Sequence, residues 1–126
     1  MILVENEERY FEFIRELRNH NQVREGFIQQ EHIPLCEHLR FMKKYGNLYY
    51  ICLVQNNPAG FVGQLDGDIR VAVHPDFQGQ GVGTFMINEL MELHPGAAAK
   101  VKLENEASIK LFERCGFKKK YYILER

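Results

Sequence analysis

No run of apolar residues in this 126-residue chain approaches the ~20 needed to cross a bilayer, so no membrane-spanning helix is expected. Charge of one sign is equally scarce. Sixteen Lys and Arg stand against 17 Asp and Glu, a net charge of −1, so no general field attracts a polyanion and nucleic-acid binding is not expected. A basic, apolar leader is missing as well, since Glu5, Glu7 and Glu8 stand near the start and no signal peptide is visible. Cysteines are few and odd in number. Cys36, Cys52 and Cys115 lie far apart, with no CxxC pair and no His or carboxylate at metal-ligand spacing. They read as small buried apolar side chains in a reducing, cytoplasmic compartment, with no metal. What is present is ordinary for a globular protein: 45% hydrophobic and 26% charged residues. The length fits one domain over residues 1–126 and leaves no room for a separate substrate domain.

Hydrophobic period and turn residues give a mixed α/β sandwich. Met1 to Val4 reads as a short strand. Asn6 then caps a helix to about Arg18, whose stripe is Tyr10, Phe13, Ile14 and Leu17. The stretch from Asn19 to Ile33 is polar and irregular, with Gly26 as a break. Pro34 suits the first position of a second helix with Leu35, Leu39 and Met42 on one face, ended by Tyr45-Gly46-Asn47. Leu48 to Gln55 is a strongly apolar strand, and Asn56-Asn57-Pro58-Ala59-Gly60 a turn. Gly60 to Leu65 returns, and Asp66-Gly67-Asp68 turns into Ile69 to Val73. Three such strands make an antiparallel meander. Phe85, Ile87, Leu90, Met91 and Leu93 mark the next helix, and Val101 to Leu103 a strand parallel to Ile69–Val73. Asn105 caps a last helix carrying Ser108, Leu111, Phe112 and Cys115. Gly116 is its left-handed end, with Phe117 folding back on Phe112. Tyr121 to Leu124 reads as a terminal strand.

Between the meander and the long helix stands Val71-Ala72-Val73-His74-Pro75-Asp76-Phe77-Gln78-Gly79-Gln80-Gly81-Val82-Gly83-Thr84. A strand, a glycine loop and a helix N-terminus in that order build an anion site from backbone N–H groups and the helix dipole. No lysine follows the glycines, which excludes a Walker A loop. Position 84 is Thr where a dinucleotide fingerprint needs its third Gly, and the preceding strand belongs to a meander. A glycine turn without ligand remains the alternative.

Gln78-x-x-Gly81-x-Gly83 after Val73-x-Pro75, joined downstream by Asn105-x-x-Ser108-x-x-Leu111-Phe112 and Gly116-Phe117, resembles the GNAT superfamily of acyl-CoA-dependent N-acyltransferases. The resemblance runs from about Gly60 to Phe117. It implies a mixed sheet, an antiparallel meander plus a parallel pair at the cofactor site, flanked by helices. It also implies acetyl-CoA as cosubstrate. Val71 and Val73 would pair with the pantetheine arm as an added strand, and Gln78, Gly79, Gly81, Val82, Gly83 and Thr84 would hold the pyrophosphate. The family's asparagine near the pantetheine or sulfur corresponds to Asn105, which reads equally as a helix N-cap. The family's usual tyrosine acid on the last helix is replaced by Phe112.

The implied reaction is direct acetyl transfer to a primary amine on a small molecule or peptide. A backbone N–H of the strand before the loop is the natural oxyanion donor. Asp68 is the candidate base by family analogy, and otherwise a turn-stabilising residue. Tyr121 or Tyr122 stands in for the missing acid, or is a plain strand aromatic. Upstream, Leu17-Arg18-Asn19, Val23-Arg24, Ile33-Pro34 and Glu37-His38-Leu39 resemble variants acting on amino sugars linked to nucleotides, or on ribosomal-protein N-termini. Arg18 and Arg24 read equally as solvated charges. Only ten residues follow Gly116, so the family's C-terminal hairpin is shortened, and a partner subunit, as in a homodimer, is one way to close the acceptor side. The alternative to an enzyme is a non-catalytic acyl-CoA-binding or interaction module.

Overall fold

The computed structural model describes residues 1–24, 27, 28 and 32–126; the break expected at Gly26 lies outside them. Strand β1 is Ile2–Glu5, β2 Tyr49–Val54, β3 Asn57–Leu65 and β4 Asp68–Val73. They form one antiparallel sheet in the order β1-β2-β3-β4. Helices α1 (Glu8–Asn19), the short α2 (Asn21–Arg24) and α3 (Leu35–Tyr45) precede the meander. Helices α4 (Val82–Leu93) and α5 (Glu106–Arg114) follow it.

Two apolar cores form on opposite faces of the sheet because side chains alternate along each strand. Tyr49, Ile51, Phe61 and Ala72 meet Ile14, Leu17 and Met42 of α1 and α3. Cys52, Val62 and Ile69 meet Met86, Ile87 and Leu90 of α4 and Phe112 of α5. Strands β2 and β3 are covered on both sides, which is why Leu48 to Val54 reads as an unbroken apolar run. Burial holds the Cys52 and Cys115 thiols above their usual range. All three cysteines are free, and Cys36 is exposed where a buried residue was expected.

Several expectations shift in detail. Asn6 does not cap α1. Glu7 occupies the cap position, and Asn6 instead donates from Nδ2 to the Gly46 carbonyl at 3.1 Å, tying the start of α1 to the end of α3. Leu35 and Leu39 do not share a buried face with Met42; both are exposed, and His38 is the buried neighbour. The helix is rotated so that His38 Nε2 lies 2.6 Å from the Phe11 carbonyl on α1. Burial lowers the pKa of His38, and donation to that carbonyl pushes the other way.

The first hairpin turn is Gln55-Asn56, both at positive φ (50° and 66°), as a two-residue type I′ turn requires. The longer turn expected through Gly60 is therefore strand. Pro58 is tolerated there because the pairing with β2 shifts register between Cys52 and Leu53, and a bulge absorbs the missing N–H.

The parallel partner of β4 is shorter than expected and sits elsewhere. After α4, the chain returns to the sheet at Ala98, not at Val101–Leu103, and pairs only with the start of β4. Ile69 donates to the Ala98 carbonyl (2.9 Å), and Ala98 to the Gly67 carbonyl (2.8 Å). Residues 101–103 then move off, so the edge of β4 beyond Ile69 is left open. Tyr121 to Leu124 form no strand either. They pair with nothing among the described residues and stand well exposed, Leu124 at 92%. Helix α5 ends as expected: Asn105 Oδ1 accepts from Ser108 N–H at 3.2 Å, and Gly116 turns left-handed. Phe117 donates to the Phe112 carbonyl at 3.0 Å, its ring 5.1 Å from that of Phe112.

Candidate active site

A cleft of about 850 Å³ runs along the open edge of β4, between α1–α2 on one side and α4–α5 on the other. That volume lies within the ~300–1,000 Å³ common for small-molecule sites. Asp68, Val71, Val73, Gln78, Gly79, Gly81, Val82, Gly83, Thr84 and Asn105 all line it. Residues scattered over 38 positions of sequence thus share one wall system.

The edge itself is polar backbone. Ile69 N–H points outward to Ala98, and His74 N–H points inward to the Ala59 carbonyl. With the alternation of a strand, Arg70 and Ala72 N–H turn toward β3, while Val71 and Val73 turn theirs to the cleft. Such unpaired groups seek a strand-like partner. Gln78 reaches back toward this edge, its Nε2 3.5 Å from the Val73 carbonyl.

The loop continues from the upper end of the strand. His74 closes the turn, its Nδ1 accepting from Asp76 N–H at 3.1 Å; the ring is only partly exposed, not turned fully to solvent. Gly79 and Gly81 have φ of +79° and +81°, a region that L side chains avoid, and a Cβ on either would meet nothing within 4 Å. Gly81 is the N-cap of α4 with no side-chain cap bond. The first intrahelical donation is from Phe85 N–H to the Gly81 carbonyl at 3.0 Å, so Val82, Gly83 and Thr84 present their N–H groups without intrahelical partners. Gly83 has a different reason. Its missing Cβ would stand 3.0 Å from Leu111 Cδ2, so glycine here lets α5 pack against α4.

The opposite wall holds residues whose placement the sequence did not reveal. Pairing aligns Tyr49 with Gly63 and Gly63 with Arg70 across β2, β3 and β4, on the α1 face. Arg70 Nε is 3.5 Å from Asp68 Oδ2. Burial raises the pKa of Tyr49 against the opposing pull of Arg70 and Arg18, so the phenol stays protonated at neutral pH. Arg18, in the last turn of α1, also lines the cleft, and burial pulls its guanidinium below the usual range. It is not the solvated charge of the alternative reading. Asp68 is the only carboxylate lining the cleft among the described residues. Phe112 lies in the wall at 6% exposure and offers no hydroxyl. Tyr121 and Tyr122 are not among the residues that line the cleft.

An open sheet edge leading into a left-handed glycine loop and a helix N-terminus defines an α/β protein that can take an extended arm ending in an anion. The acetyltransferase (GNAT) domain matches residues 45–119, more than half of the chain, and the chain belongs to that family. It is 28% identical over 96 residues to an uncharacterized N-acetyltransferase of Methanocaldococcus jannaschii, covering 63% of this chain and 42% of that protein. With a peptidyl-lysine N-acetyltransferase of Salmonella typhimurium it shares 32% over 66 residues, 51% of this chain and 45% of that protein. The matches thus span less than half the length of these relatives. Its fold superposes on a spermidine N-acetyltransferase of Vibrio cholerae, solved with CoA and spermine, with a TM-score of 0.81 at 19% identity over 99% of this chain and 85% of that one. Among the described residues no His, Cys, Asp or Glu cluster fits a metal ion, and no helix is long and apolar enough to cross a membrane.

Proposed function

We propose that this chain binds acetyl-CoA along the edge of β4 and transfers the acetyl group directly to a primary amine. The observation that carries this reading is the continuity of the open β4 edge with the glycine loop and the N-terminus of α4. Val71 and Val73 have backbone groups spaced to pair with the amides of a pantetheine arm. The N–H groups of the loop and of Val82, Gly83 and Thr84 suit a pyrophosphate, whose charge the helix dipole favours. CoA in the Vibrio cholerae structure and the family match support the same ligand.

The amine then approaches from the α1 face, opposite α4 and α5. Asp68, oriented by Arg70, accepts the proton that nucleophilic attack releases. A β4 N–H facing the cleft steadies the oxyanion as the carbonyl becomes tetrahedral. Asn105 stays the N-cap of α5 and fixes that wall of the cleft. With Phe112 in the family's acid position, the sulfur departs as thiolate. Its conjugate thiol has a pKa of about 8.5, so departure at neutral pH needs little protonation.

The test is release of free CoA thiol from acetyl-CoA in the presence and absence of a mixed panel of primary amines. Amine-dependent release is expected, and Asp68→Asn should lower it about 100-fold or more without weakening acetyl-CoA binding. Tight acetyl-CoA binding with no amine-dependent release would instead make the chain an acyl-CoA-binding module.

A further inference from the structure

The α1 side of the cleft is cationic in a way that the proposed acetyl transfer does not use. Asp68, Arg70 and Ala72 alternate onto the α1 face of β4, and Tyr49 lies in register with Arg70 through Gly63. Asp68 pairs with Arg70 at 3.5 Å. Arg18 stands beside this group with its Cζ 5.9 Å from the Phe41 ring, and no carboxylate lies within ion-pair distance of it among the described residues. Along the whole cleft, the described lining charges are Arg18, Arg70, Lys100 and Arg114 against Asp68 alone.

A partly buried guanidinium without a counter-charge is costly to keep, and its contact with the Phe41 ring offsets that only modestly. A CoA pyrophosphate cannot repay it. The glycine loop begins beyond Val73, roughly 10 Å up the strand from Arg70 at about 3.3 Å per residue. The charge left over at the Asp68–Arg70 end is therefore available to the second substrate.

We propose that the acceptor amine carries an oxyanion, a carboxylate or a phosphate, and that Arg18 binds it while the amine is turned toward Asp68. This rests on the acetyl-transfer reading of the cleft and names the acceptor class that reading leaves open. A planar guanidinium offers paired N–H groups matched to two oxygens of either anion. A polycation such as spermine, held by the Vibrio cholerae protein, finds net positive charge here and is a poor acceptor.

The experiment compares amines matched in size: 4-aminobutyrate against butylamine for the carboxylate, phosphoethanolamine against ethanolamine for the phosphate, and spermidine. Each is scored twice, by CoA release from acetyl-CoA and by binding to the CoA-loaded protein in a calorimetric titration. At least one amine bearing an oxyanion should outperform its match that lacks one about 10- to 100-fold in kcat/KM and in affinity, and which pair does so distinguishes carboxylate from phosphate. Arg18→Gln should bring that ratio near one, chiefly through KM, with acetyl-CoA affinity unchanged and a melting temperature equal to or above wild type, since an unpaired buried charge is removed. Arg18→Lys should keep part of it. Equal use of both members of each pair, a preference for spermidine, or an unchanged ratio in Arg18→Gln would overturn the proposal. Selective, Arg18-dependent binding of an anionic amine without CoA release would keep the anion site and reject acetyl transfer.

Discussion

Gly81→Val should lose acetyl-CoA affinity by at least about 10-fold while the protein melts within a degree or two of wild type. At φ +81° an L residue costs about 1–2 kcal/mol, and a β-branched one more. Nothing stands within 4 Å of the new Cβ, so no packing is broken and no neighbour holds the strained conformation in place. The loop relaxes to negative φ, and its N–H groups turn away from a common centre. Gly83→Val offers the contrast. Its Cβ stands 3.0 and 3.3 Å from the Leu111 methyls and 3.6 Å from Val73 Cγ2, so the cost falls on α4–α5 packing, about 1–3 kcal/mol of stability. Titration calorimetry and thermal melts on both variants separate a cradle residue from a packing residue. Unchanged affinity in folded Gly81→Val would remove the loop from the binding site.

Gly63→Ala should be the more destructive change for the fold. The added Cβ would stand 2.7 Å from Tyr49 Cδ1, 2.9 Å from its Cγ and 2.8 Å from the Leu48 carbonyl oxygen. That carbonyl belongs to the backbone where β2 begins and cannot rotate aside. The Tyr49 ring is 2% exposed and packed on Phe61 and Phe41, with centroids 5.9 and 6.1 Å away. Overpacking of this kind costs about 1–3 kcal/mol, sometimes more, and a single methyl is responsible. Because Tyr49 and Arg70 share this row, the variant should also raise KM for the amine while leaving acetyl-CoA affinity near wild type. Urea unfolding and initial rates check both. A midpoint equal to wild type would mean that the row yields without cost.

What the sequence made legible was local. Apolar runs and the Asp66-Gly67 turn located the meander, and Asn105, Gly116 and Phe117 located both ends of α5, because caps and turns are decided within a few residues. The order strand, glycine loop, helix marked an anion site; the ten site residues came from the resemblance to the GNAT superfamily, and all line the cleft. What failed was non-local. Val101 to Leu103 has the composition of a strand, yet pairing depends on where the crossover from α4 lands, and it lands at Ala98. The rotation of α3 that buries His38 and exposes Leu39 follows from a hydrogen bond to α1, which no pattern within α3 announces. The Tyr49–Gly63–Arg70 row exists only through the register of three strands. Arg18 looks like any charge at a helix end until the cleft wall forms around it.

If the edge of β4 binds the cosubstrate arm, amide-resolved hydrogen exchange with and without CoA will show it residue by residue. Val71 and Val73 N–H, together with those of Gly79 and Gly81 to Thr84, should gain protection on adding CoA. Arg70 and Ala72, already turned to β3, and Ile69, already bonded to Ala98, should change little. Protection spread evenly over β4, or absent from Val71 and Val73 while CoA is bound, would place the arm elsewhere.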